Sequence, residues 1–237
     1  MSRKLFAVLA VLAISMAIPA LAAAQQNRAT LTDVHVISAL RAKPVGTANC
    51  TNAPANALTG PYAFTGWRVQ ATKTALLNTA TIPSGLGTNA AVVSALQASF
   101  DAWKGAETAA PKITVAGGGT ITKQTANHQY DLLFGRAGGS SIAVTYTWTW
   151  SSGEIESDTV FNSSFAWFMA GTEGDGCVEG PAWYDLRNIA THEFGHTYGL
   201  THPDARWETM FAYGYSGETA KWSLGPGDTA GIRARYP

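Results

Sequence analysis

Thr191-His192-Glu193-Phe194-Gly195-His196-Thr197-Tyr198-Gly199-Leu200-Thr201-His202 is the stretch that decides how this chain is read. Residues four apart on a helix stand one above the other, so His192 and His196 can present imidazole nitrogens to one cation. Zinc binds such nitrogens at about 2.0–2.1 Å. Glu193 flanks the first ligand, near enough to reach a metal-bound water without binding the metal itself. Gly199 can take positive φ, so the chain can leave the helix sharply and swing His202 into a third ligand position. Three protein nitrogens leave one coordination position open, which separates a catalytic zinc from a closed structural one. Three of the five histidines in the chain fall in this stretch, which surface decoration of a helix does not explain.

Around this motif the pattern alternates between helix and strand. Asp185 opens the motif helix, which runs through Leu186, Ile189 and Ala190 to about Tyr198, where Gly199 stops it. Upstream, Asn89 to Lys104 carries Val93, Leu96, Phe100 and Trp103 on one helical face, with Thr88 or Asn89 as cap. Ile113-Thr114-Val115 reads as a short strand. The glycines 117–119 that follow are a turn, because the Lys-Ser/Thr of a phosphate loop is missing. Ser141 to Trp150 alternates, placing Ile142, Val144, Tyr146, Trp148 and Trp150 on one face. Asp158 to Trp167 is a further β-like stretch, and a last helix is expected from Asp228 to about Tyr236.

At 237 residues, 46% of them hydrophobic and 14% charged, the chain can build one core with short extensions. Lys+Arg and Asp+Glu balance at 16 each, which argues against a nucleic-acid partner. Arg3 and Lys4, the apolar run Leu5 to Leu21, and Ala22-Ala23-Ala24 have the form of an export signal, expected to occupy residues 1–24. The mature protein is then expected to be secreted and free of the membrane. Residues 25–60 are polar, interrupted by Pro44 and Pro54, and read as an N-terminal extension; residues 61–237 read as the catalytic domain. Cys50 and Cys177 are expected to form one disulfide in an oxidising compartment, the competing reading being a Cys50 thiolate that caps the metal. Asn49 and Asn162 fit the glycosylation pattern.

At these motifs the sequence resembles the metzincin metallopeptidases, and within them the matrixins. Asp185-Leu-Arg-Asn-Ile-Ala-Thr191 leads into the histidine motif as it does in that family. Glu208-Thr209-Met210-Phe211 matches the family's methionine turn, in which Met210 would form an apolar floor beneath the ligands. Leu224-Gly-Pro-Gly-Asp228 through Tyr236 is similar to the closing helix, and Asp158-Thr-Val-Phe161-Asn162 to a strand beside the cleft. Val160 stands where many relatives place a histidine for a second zinc, and Cys50 lacks the family's Pro-Arg-Cys-Gly context.

The resemblance implies an α/β (α+β), zincin-like catalytic domain: a twisted mixed sheet, an active-site helix, a backing helix, and a small irregular C-terminal part ending in a helix. It implies a zinc endopeptidase acting as a monomer on protein or peptide bound in extended form, with Glu193 as general base. The peptide would add to a sheet edge at about Ser141 to Trp148. Ile142, Val144, Phe211 and Tyr213 are the candidate pocket residues. Calcium is admitted by the resemblance; Asp158, Glu173 and Asp175 are the available carboxylates, without an assigned site. Two other classes stand beside the enzyme: an exported zinc-containing binding or adhesion module, and a carbohydrate-binding protein suggested by eight tryptophans.

Overall fold

Residues 28–39, 60–174 and 183–237 are described by the structure, a computed structural model. Cys50, Cys177, Asn49, Asp175 and the apolar N-terminal run lie outside them, and so do the disulfide and the export signal expected there.

Two helices set the frame. The first, α1 (Asn89–Ala106), starts where the Thr88 side chain accepts a hydrogen bond from the Ala91 amide. Its buried face is Val92, Leu96, Ser99, Phe100 and Trp103. Val93, expected on that face, is one step round and only partly buried. The second, α2 (Leu186–Thr197), carries the histidine motif and is capped by Asp185, whose Oδ1 accepts from the Asn188 amide at 2.8 Å. Gly199 ends it with φ +91°, and a Cβ there would meet the Trp67 carbonyl oxygen at 2.4 Å. A side chain is thus excluded on two grounds, backbone conformation and space.

A seven-stranded mixed sheet packs beside these helices. It comprises β1 (Ala29–Ala39), β3 (Lys73–Leu77), β4 (Ile113–Gly117), β5 (Tyr130–Gly135), β6 (Ser141–Trp150), β7 (Ile155–Asn162) and β11 (Tyr213–Gly214), in the order β11-β1-β6-β7-β5-β3-β4. β4, β3, β5 and β7 run parallel, β6 is antiparallel to β7, and β1 is antiparallel to β6. Two small ladders complete the strands: β2 (Ala63–Phe64) with β10 (Leu200–Thr201), and β8 (Ala166–Phe168) with β9 (Trp183–Asp185). The closing helix α3 (Pro226–Arg235) begins two residues before the expected Asp228, because Pro226 has the φ that suits a first helical turn.

Four sequence expectations change here. Ser141–Trp150 is not a sheet edge: residues 29–39, placed in an extension, form a strand that covers it. The alternation of β6 implies one apolar face, yet Ala143, Val144, Thr145, Thr147 and Trp148 are all buried in a strand that has a neighbour on both sides. Asn162 is 1% exposed, and its amide nitrogen donates to the carbonyls of Ala137 and Ser141, so it is a structural bond-maker rather than a glycan acceptor. The tryptophans Trp67, Trp103, Trp148, Trp150, Trp167 and Trp222 are buried in packing, which removes them as a sugar platform. Among the described residues no helix is long and apolar enough to cross a membrane.

The two helices are joined by aromatic stacking. Phe100 lies face to face with Phe194 at 3.6 Å between ring centres, and both are buried. Phe100→Ala is expected to cost about 3–5 kcal/mol of unfolding free energy, checked by urea titration of the two proteins, because a buried aromatic is replaced by a cavity.

Candidate metal centre

Helix α2 supplies two of the three histidines and Gly199 turns the chain so that His202 joins them. The Nε2 atoms of His192 and His196 lie 3.2 Å apart, those of His192 and His202 3.2 Å, and those of His196 and His202 3.0 Å. Among the described residues this is the one group of three or more potential ligands that converges. His192 and His196 are completely buried.

The other ring nitrogens fix which atoms face inward. His192 Nδ1 is 2.6 Å from the Thr209 carbonyl oxygen, and His196 Nδ1 is 2.9 Å from that of Leu200. A carbonyl can only accept, so each Nδ1 carries the proton and each Nε2 keeps its lone pair. Burial holds both imidazoles well below the usual histidine pKa, and burial likewise brings His202 down to about 4. Neutral imidazoles whose lone pairs point at one another cannot satisfy one another; a cation between them does. Tetrahedral zinc with bonds of about 2.0–2.1 Å would place its nitrogen ligands roughly 3.3–3.4 Å apart, close to the spacing found. The donor set therefore fits zinc.

The floor is built by a glycine and a methionine. A Cβ at Gly195 would lie 2.2 Å from Met210 Sδ and 2.5 Å from Trp103 Cζ2, so the helix approaches both side chains only because position 195 lacks one. Met210 is 1% exposed. Trp103 is held in turn by its indole N–H, which donates to the Thr191 carbonyl at 2.8 Å. Sequence reading singled out Met210 but not Gly195, although the glycine stood inside the quoted motif.

Asp228, read only as a helix cap, organises the turn beneath the site. Its carboxylate accepts from the amides of Thr209, Met210 (3.1 Å) and Gly225 (3.0 Å), while its own amide donates to Glu208. Thr209 is the residue whose carbonyl orients His192, so the last helix is linked through Asp228 to a ring in the site. Burial, with Glu208 beside it, pushes the Asp228 carboxyl up to about 7.

Glu193 is fully buried. The Thr145 hydroxyl donates to its Oε2 at 2.6 Å and lies 3.1 Å from the Thr159 hydroxyl. The Ile37 backbone amide also faces the carboxylate and favours its charged form, though Oε1 has no hydrogen-bond partner of good geometry. Burial outweighs these contacts and raises the Glu193 carboxyl to about 8. Thr145 escaped the sequence reading because nothing marks one threonine among several in an alternating strand.

The candidate pocket residues separate. Ile142 approaches Gly214 beside Ile37 and Ile189, whereas Val144 pairs with Val36 in the β1–β6 ladder. Phe211 and Tyr213 lie tilted against one another with ring centres 5.4 Å apart, and the buried Lys221 ammonium donates to both of their carbonyls. His35 was missed altogether. It reaches the centre from β1, stacked on His196 at 4.1 Å with rings 7° from parallel. Burial alternates only over Val34-His35-Val36-Ile37, where His35 and Ile37 are buried beside the exposed Val34 and the partly buried Val36. Of the carboxylates considered for calcium, Asp158 accepts from the amides of Thr125 and Asp131, and Glu173 from the amide and hydroxyl of Ser223.

The sequence model of the matrixin family matches residues 87–237, more than half of the chain. No curated protein matches it.

Zinc should stabilise the fold by mass action, about 2.7 kcal/mol at a hundredfold excess over Kd. Thermal melts with and without zinc should show a rise for the unaltered chain and none for His196→Ala. Gly195→Ala should cost roughly 1–3 kcal/mol by overpacking against Met210 and Trp103, read by the same melts.

Proposed function

The chain belongs to the matrixin family of metallopeptidases, and on that premise we propose that it is an exported zinc endopeptidase in which Glu193 is the general base. The observation that carries the reading is the pairing of three inward-facing Nε2 atoms with a buried carboxylate on the same helix, one residue from the first ligand. A zinc ion held by His192, His196 and His202 would act as a Lewis acid, polarising the scissile carbonyl and bringing the pKa of water to about 7.

The protein's own groups supply the proton handling. Glu193 takes the proton of the attacking water and returns it to the leaving amine, so no covalent intermediate is required. Thr145, donating to Oε2, fixes the carboxylate so that Oε1 is the atom left to receive the proton. The raised pKa of Glu193 suits a group that must both accept and release a proton near neutrality. The Thr209 and Leu200 carbonyls hold the first two imidazoles in the tautomer that coordinates.

Export is supported by the basic, then apolar, then small-residue start of the chain. A zinc module that binds without cutting would leave the Glu193 carboxylate unexplained, because it is fully buried with Oε1 unpartnered, which costs stability.

Cleavage of unfolded casein tests the reading. The zinc-loaded protein should cut, Glu193→Ala should lose about 10²–10⁴-fold in rate, and a chelator should abolish activity until zinc is restored. A protein that binds one zinc per chain and cuts no peptide under any condition would return the reading to the binding module.

A further inference from the structure

Burying an ammonium is costly, and this fold buries one. Among the described residues Lys221 is the one lysine or arginine that is buried, and among them it forms no ion pair. Glu218, three residues away, is taken by Arg206 at 2.9 Å and by the Tyr215 amide. An aliphatic side chain would fill the same space without the desolvation penalty. What the ammonium gains is two hydrogen bonds, to the carbonyls of Phe211 at 2.7 Å and Tyr213 at 3.0 Å. Charged donors bind such acceptors about twice as strongly as neutral ones.

The main chain of Lys221 faces the other way. Its amide donates to Asn188 Oδ1 at 2.7 Å, and Asn188 stands on α2 one helical turn before His192. Beside it, the Trp222 indole donates at 2.6 Å to Asp185, the cap of α2. The Ser223 carbonyl then accepts the Thr209 hydroxyl at 3.1 Å. Residues 221–223 are thus a strap, with one side on the start of α2 and the other on the turn at 209–213. Those are the two segments whose relative position decides whether the Thr209 carbonyl meets His192 Nδ1. A shift of about 1 Å takes that carbonyl out of hydrogen-bond range, and the ring is then free to turn its lone pair away. Asp228 braces the same turn from the closing helix, but among the described residues its partners lie in the turn and at the start of its own helix, none on α2.

We propose that Lys221 is a positioning residue of the metal centre: bonded to α2 through its amide and to the 211–213 segment through its ammonium, it holds the Thr209 carbonyl against His192 and so keeps the His192 lone pair turned inward. This rests on the zinc half of the reading above. A side chain of like volume that cannot donate leaves two buried carbonyls unsatisfied, and the 211–213 segment shifts to find other donors. The loss falls on His192 rather than on His196, whose ring is held by Leu200, just past α2 on the same stretch of chain.

The test measures zinc affinity of the full chain by competition with a chelating dye, for the unaltered protein, Lys221→Met and Leu77→Ala. Leu77 is buried in β3, five strands across the sheet from β11, so its truncation destabilises the fold without reaching the strap. Lys221→Met should raise the zinc Kd about 10–100-fold, as loss of a group that orients a ligand does. Leu77→Ala should change it less than about threefold. Lys221→Gln, which keeps N–H donors, should recover part of the affinity. In the zinc-loaded proteins, NMR should show the His192 Nδ1 proton exchanging with solvent faster in Lys221→Met and the His196 Nδ1 proton unchanged. An unchanged Kd in Lys221→Met overturns the proposal. So does an equal rise in Leu77→Ala, or equal loss of both ring protons, since Lys221 would then be one more stabilising contact. If Lys221→Met does not fold, Lys221→Gln is read in its place; if neither folds, Lys221 is a folding residue and the proposal falls. An unaltered chain that binds no zinc removes the metal site and this inference with it. A chain that binds zinc and shows the Lys221 effect, yet cuts no casein, supports this inference while the peptidase reading falls.

Discussion

Everything near the centre depends on two hydrogen bonds, from His192 Nδ1 to the Thr209 carbonyl and from His196 Nδ1 to the Leu200 carbonyl. A neutral imidazole has one donor and one acceptor nitrogen, so fixing the donor outward fixes the acceptor inward. The two carbonyls come from different segments, one just past the helix and one from the turn beneath it. Both segments must be in place before the lone pairs converge. The spacing of four residues on α2 is necessary for that convergence, but by itself it leaves the rings free to turn.

The supports of that constraint extend far along the chain. Asp228, at the start of the closing helix, gathers the amides of Thr209, Met210 and Gly225. Its burial would be costly for an isolated carboxylate, and the amides offset that cost. On the other side Trp103 of α1 meets the helix backbone at Thr191 and fills the space under Gly195. The floor, the helix and the last turn therefore stabilise one another, and a change at any of them is felt at the imidazoles.

The cleft shows how the same backbone groups serve stability and recognition. β6 would be an exposed edge with unpaired amides and carbonyls if β1 were removed, a template that other chains could join. Covering it with residues 29–39 satisfies those groups and leaves β6 no free edge for another chain. Ile37 in its pocket and His35 on His196 give this strand side-chain anchors as well as main-chain ones.

The sequence by itself determined the ligand-bearing helix, its Asp185 start and Gly199 stop, the helix over Asn89 to Lys104, and the strands near 113–115 and 141–150, but not those at 29–39, 73–77 and 130–135. The elements it determined follow from spacing, capping and alternation, which are local and survive without knowledge of the fold. It also marked Met210, through its distance from His202 in a motif of known form. Only the tertiary structure decided which partners those residues meet. Gly195 is required because Met210 and Trp103, distant in sequence, close on it; Asp228 is a brace rather than only a cap because the turn at Thr209 lies beside it. The place of residues 29–39 was equally out of reach. Strand pairing is a non-local hydrogen-bond choice, and nothing in the spacing of residues 29–39 says that their partner is the wall of the cleft.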